Sequence, residues 1–135
     1  MTVAQKGDFV FVRFDNAPSC MEDVTGYLDK IRTIYDRNKP FVIIYDATNI
    51  AILEHKYLQA QISFMREQVE RTKDLMVRAA VVVNGPVMRI FLNTAVFLVQ
   101  PPVCEMEVYN DLQSAKRFVG TLLNPHTKKL YPFRN

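Results

Sequence analysis

Two hydrophobic rhythms alternate along this chain. Short apolar runs with a period of two, or apolar throughout, predict strands; apolar positions three and four apart predict helices. The first ten residues give TVAQ, and FVFVRF follows at 9–14. Lys6-Gly7-Asp8 lies between them, and Gly-Asp suits a tight turn, so the start predicts a β-hairpin. Val24, Leu28, Ile31 and Tyr35 then recur at helical spacing behind Ser19 and Glu22. That pair has the three-residue offset of a capping box. Pro40 forbids continuation of the helix, which should stop near Asn38.

FVIIY (41–45) is apolar at every position. This is the pattern of a strand covered on both faces by helices. The spacing next predicts a long helix over 53–73, with Leu58, Ile62, Met65 and Val69 as its inner stripe and Glu67, Glu70, Arg71 and Lys73 facing solvent. AAVVV (79–83) predicts a second fully covered strand, broken by Asn84-Gly85-Pro86. A third helix is expected over 87–99, ended by Pro101-Pro102. CEMEV (104–108) alternates, with Cys104, Met106 and Val108 inward and Glu105 and Glu107 outward, as at a half-exposed strand near a sheet edge. Asn110 is placed to cap a last helix carrying Leu112, Ala115, Phe118, Val119 and Leu122.

The expected order is β-β-α-β-α-β-α-β-α. Strand–helix–strand units favour parallel neighbours joined by right-handed crossovers. The fold class is therefore α/β: one four- to five-stranded mixed sheet, mostly parallel, with an N-terminal β-hairpin and about four helices. At 135 residues the chain suits one domain with one core. The domain is expected over 1–123, and 124–135 is a basic, aromatic C-terminal tail.

This order and texture resemble the STAS family, the sulfate-transporter and anti-sigma-factor-antagonist domains, and their lipid-binding fold relatives, the CRAL-TRIO domains. The resemblance covers roughly residues 2–123 and rests on FVFVRF, PFVIIYDATNI, RAAVVVN, VCEMEVY and NDLQSAKRFV. It implies a non-enzymatic regulatory module that binds other proteins. The CRAL-TRIO side of it implies a cavity for an apolar ligand. Antagonist-type STAS domains carry a phosphorylated Ser directly after an Asp behind the central strand. Here that segment is ATNIAILEHKYL; it has no Ser, and its nearest hydroxyl, Thr48, does not follow an Asp. The phosphoswitch is not carried over.

Composition narrows the chemistry. Hydrophobic residues make up 49% and charged residues 23%, ordinary for a globular protein. The net charge of +3 equals the contribution of Lys128, Lys129 and Arg134 in the tail, too little to argue for nucleic acid. Cys20 and Cys104 lack metal-ligand spacing and only His55 and His126 are present, so no metal or cofactor is expected. The N-terminus lacks a signal-peptide apolar run, and 86–99 is too short to span a bilayer. A cytoplasmic protein, not transmembrane, is the expectation.

Asp46 closes the central strand. As a phosphoacceptor it would need an acidic cluster near the first strand and a Lys on a late strand; only Asp15 is offered, and no Lys. As a turn residue it needs only nearby amides, and Asp46 and Asn49 suit that role. His55, in the first turn of the long helix, has no partner spacing for catalysis and is expected at the surface. The third helix is the oddest segment. Its polar positions are Arg89, Asn93 and Thr94, and Phe91, Leu92, Phe97 and Leu98 cannot all face one sheet. A second subunit covers such an excess most simply. The expected binding surface is Arg89, Phe91, Leu92 and Phe97, with Asp46, Thr48, Asn49, Asn84 and Gly85 beside it on adjacent strand ends. The expected partners are a second copy and a further protein. In the alternative reading, a small apolar molecule or lipid sits in a cavity lined by Met65, Met88, Phe91 and Phe97.

Overall fold

The computed structural model describes residues 1–50, 54–72, 75–86, 88 and 105–120. The chain starts with a hairpin, β1 (Thr2–Lys6) and β2 (Phe9–Arg13). Gly7 leads its two-residue turn with φ +60, a conformation that glycine adopts without steric cost. Helix α1 (Met21–Tyr35) follows, then β3 (Phe41–Asp46), α2 (His55–Glu67) and the single turn α3 (Val69–Thr72). Strand β4 (Met76–Val82), strand β5 (Glu105–Tyr109) and helix α4 (Leu112–Gly120) complete the described elements.

The sheet order is β1-β2-β3-β4-β5. β1 pairs antiparallel to β2, and every later neighbour is parallel. The mixed, mostly parallel α/β sheet of the sequence reading is thus present at its upper strand count. Because β2, β3 and β4 are laid down in one direction, right-handed crossovers put α1 and α2 on one face. Val24, Leu28 and Ile31 of α1 and Tyr57 and Phe64 of α2 share a core there with Val10, Val12, Ile43 and Ala79. Helix α4 covers the opposite face, packing Ala115 and Val119 against Val42, Ile44 and Val82. All six residues of β3 are buried in consequence. Burial fades toward the hairpin edge: β2 alternates between buried and half-buried before ending exposed, and all of β1 is exposed.

Local chemistry corrects several expected boundaries. The Ser19 amide and hydroxyl both donate to the Asp23 carboxylate, at 2.9 Å each, so Asp23 takes the role expected of Glu22. These bonds hold the Asp23 carboxyl below its ordinary value. At α4 the cap is Asp111, which accepts from the Ser114 amide at 2.8 Å and hydroxyl at 2.9 Å. Asn110, the expected cap, instead donates to the Gly85 carbonyl at 3.2 Å. α1 stops as expected, its end closed by Asn38 at φ +53 with its amide on the Tyr35 carbonyl.

The expected helix over 53–73 ends at Glu67, and a turn at Gln68 leads into α3. That turn lets Arg71 pair with Asp36 at the end of α1. Leu58 and Ile62 are buried as expected, and Met65 is half-buried. β4 begins three residues before the expected Ala79. Arg78 disguised the start, because a guanidinium is unexpected in a covered strand. It escapes toward α4, donating to the Phe118 carbonyl at 2.7 Å with its carbon 4.5 Å from the Phe118 ring centroid. Met106 and Val108 face inward and Glu107 outward on the edge strand β5, as expected. The third helix predicted over 87–99 and the tail at 124–135 lie outside the described residues, apart from Met88, which is buried.

Ile43 has no exposed surface and sits in the strand on which both layers rest. Ile43→Ala is expected to lower unfolding free energy by about 3–4 kcal/mol, from lost transfer energy plus the cavity left behind. Urea denaturation followed by circular dichroism reads this directly. A loss near zero would mean that the β3 core is not packed as described.

Candidate functional site

The candidate site is the carboxyl edge of the sheet, where open α/β folds place ligands. Here the backbone ladder runs one residue past each strand. Phe14 donates to the Asp46 carbonyl at 3.0 Å, Ala47 to Val82 at 2.8 Å and Val83 to Tyr109 at 2.9 Å. The Ile50 amide closes the turn after β3 on the Ala47 carbonyl at 3.0 Å. Gly85 adopts φ +97, which lets the chain leave β4 sharply. The Asp46–Asn49 and Asn84–Gly85 loops therefore leave from adjacent strands, as their sequence positions implied, and Asn110 ties the second loop to β5.

Asp46 is buried, with 6% of its surface exposed. One carboxylate oxygen accepts from the Thr48 amide at 3.0 Å and from the Thr48 hydroxyl at 2.6 Å. The other accepts from Arg13 Nε at 3.2 Å. Burial alone would push this carboxyl up; the Thr48 bonds, the Arg13 bond and the Arg13 charge together outweigh it and hold its pKa below the ordinary value. Asp46 is thus a fixed anion at neutral pH that shapes a turn, as the sequence suggested. Asn49 is exposed and takes no comparable bond among the described residues. His55 is exposed at the start of α2, with its Nε2 3.0 Å from the Gln59 side-chain nitrogen.

Arg13 was missed by sequence reasoning, although a signal existed. Phe9, Phe11 and Arg13 share one strand face by the period of two, and the parallel register sets Arg13 directly beside Asp46. Its side chain is 52% exposed and its guanidinium lies 5.6 Å from the Phe11 ring centroid.

Behind the carboxyl edge, on the α1–α2 side, lies an apolar cavity of about 80 Å³. Tyr45 of β3, Phe14 just past β2 and Ile50 in the turn after β3 border it on one side, and Met65 and Met88 are among its walls. Its polar groups include Tyr27, whose hydroxyl donates to Gln61 Oε1 at 3.2 Å. Burial pushes the Tyr27 phenol up to about 12. The Tyr27 ring meets Phe14 edge-on at 5.1 Å. Tyr27 and Gln61 were also missed, though Tyr27 stands three residues after Val24 on the inner stripe of α1. Of the residues expected at the binding surface, Asp46, Thr48, Asn49, Asn84 and Gly85 share this edge. Arg89, Phe91, Leu92 and Phe97 lie outside the described residues. Among the described residues no group of three or more acidic, His or Cys side chains is arranged to hold a metal, and no helix is long and apolar enough to cross a membrane.

The architecture matches a solved structure from Shewanella loihica PV-4, an uncharacterized protein of the DUF3478 family with a SpoIIAA-like fold. The two superpose with a TM-score of 0.59 at 14% identity, over 87% of this chain and 90% of that one. No family model matches this sequence, and no curated protein does. At this identity the likeness establishes the fold: this chain has a SpoIIAA-like, that is STAS-like, architecture.

Asp46→Asn is expected to cost about 1–2 kcal/mol, because the Thr48 and Arg13 donors lose a charged acceptor. The pH sign follows from the lowered pKa. The carboxylate's contribution is complete above its unfolded-state value and is lost as pH falls through its lower folded-state value. The stability gap between wild type and Asp46→Asn, measured by urea denaturation, should be constant near neutrality and close in acid. A gap that widens as the solution is acidified would contradict this arrangement.

Proposed function

We propose that this protein is a non-enzymatic STAS-like module that works by binding, as a homodimer, in a regulatory or scaffolding role. The state of Asp46 supports this reading most. The strand-end carboxylate, the residue best placed for acid–base or phosphoacceptor chemistry, is committed on both oxygens to Thr48 and Arg13. What the edge offers a partner is a preformed surface whose loops are tied together by backbone and side-chain bonds. Asp46, Thr48, Asn49, Asn84 and Gly85 form the recognition edge in this proposal. Two cysteines far apart in sequence agree with a reducing, cytoplasmic setting.

The cavity favours a second reading, a carrier of an apolar ligand. Met65 and Met88 border it as that reading requires, and Tyr27 with Gln61 offers one polar anchor. Its size ranks this reading second. About 80 Å³ is roughly half of the ~150 Å³ known to accept benzene, so only a small group fits as it stands.

Native mass spectrometry of gently purified protein, with a denatured control, separates the two. The proposal predicts a dimer at twice 15.6 kDa with nothing bound. A monomer carrying extra mass that is released on denaturation would overturn it in favour of the carrier, and a bare monomer at micromolar concentration would contradict both.

A further inference from the structure

We infer that two copies join edge to edge through β1, making their two sheets one continuous sheet. This names the surface for the homodimer proposed above and rests on that reading. β1 is a sheet edge, all five of its residues are exposed, and Val3 keeps 40% of its surface accessible. Edge strands are normally protected by charge, proline or a bulge. TVAQK carries one charge, at its last residue, and no proline, and its pairing with β2 runs without a register shift.

Hairpin geometry fixes which backbone groups are free. In a hairpin with a two-residue turn, the closing pair Lys6 and Phe9 exchanges hydrogen bonds, and the pattern alternates from there. Ala4 with Phe11 and Thr2 with Arg13 are then also bonded inward. Val3 and Gln5 direct their N–H and C=O groups away from the sheet. These two donors and two acceptors are self-complementary. Antiparallel pairing about a two-fold axis at Ala4 sets each Val3 opposite Gln5 of the second copy and satisfies all four groups in each chain.

The side chains agree with this register. Ala4 meets Ala4 of the second copy at the closest approach, where a small residue fits. Lys6 stands opposite Thr2, so the single charge on the strand never meets its own kind directly across. Shifting the axis to Gln5 would set Val3 opposite the turn residue Gly7 of the second copy and leave its outward groups unpaired. On the α4 side Ala4 is flanked by Phe11, which is only half-buried in one copy. The joined sheet forms an apolar row of Phe11, Ala4, Ala4 and Phe11 across the junction. The carboxyl edges with Asp46 and Asn84 stay free for a further partner.

Two variants test the pairing. Residues facing across a non-hydrogen-bonded antiparallel pair have Cα atoms roughly 4.5 Å apart, within disulfide reach. Ala4→Cys should therefore form a disulfide dimer on mild oxidation, with the cross-link located by mass spectrometry to two copies of the β1 peptide, whereas wild type treated alike does not cross-link there. Val3→Pro removes an outward donor while keeping every inward bond. It should raise the dimer dissociation constant about 10- to 30-fold by sedimentation velocity, from two backbone bonds lost per dimer, with an unchanged circular dichroism spectrum. If Val3→Pro fails to fold, the Ala4→Cys result decides alone. A wild-type dimer whose Ala4→Cys variant does not cross-link would overturn the β1 junction and leave the homodimer standing. A wild type that stays monomeric at micromolar concentration would overturn both.

Discussion

The structure depends on a strand with no exposed side. Residues 41–46 are buried at every position, which requires apolar layers above and below and neighbours left and right. α1 and α2 supply one layer, α4 the other, and β2 and β4 the flanks. The only charge in this strand is Asp46, at its last position. A buried carboxylate is costly unless its oxygens are bonded, and here the neighbouring strand and the following turn supply the donors. The same requirement that buries the strand therefore ties β2, β3 and the site loop together. The carboxylate at this strand end is thereby bonded on both oxygens within the chain.

Much of this was legible in the sequence because the signals were local. The unbroken apolar run at 41–45 predicted two covered faces, and Gly7-Asp8 predicted the hairpin. The spacing of Val24, Leu28, Ile31 and Tyr35 predicted α1, and all four are buried. Asp46 as a turn-shaping residue was also legible, since a short acid at a strand end has few other uses without a partner cluster. Three of the misses were decided by partners distant in sequence. Arg78 hid the start of β4 because its outlet, the Phe118 carbonyl and ring, lies 40 residues away. Gln68 ended α2 where the pattern continued, in a turn that brings Arg71 to Asp36. Arg13 joined the site only once the β2–β3 register was fixed. The caps were misassigned by one residue each, since neighbouring polar side chains compete for the same amides and only the backbone path selects one.

In the proposed arrangement the carboxyl end of the sheet and its β1 edge have different roles. The carboxyl edge is closed and preorganised, its strand-end carboxylate satisfied within the chain. The β1 edge is the reverse: backbone donors and acceptors face outward, with little charge to discourage pairing. In the proposed dimer the β1 edge serves assembly, and pairing there leaves the carboxyl end of the sheet uncovered. The aromatic cavity under the site loop belongs to neither surface. It lies between the helices and the sheet, with the Tyr27–Gln61 bond in its wall.

The most direct test is amide hydrogen exchange resolved by residue, measured across a range of protein concentrations. The Val3 and Gln5 amides should exchange quickly in dilute protein and become protected as concentration rises. The amides of the Asp46–Asn49 loop should not change. Protection that appears instead at Thr48 or Asn84, or a β1 edge indifferent to concentration, would contradict it.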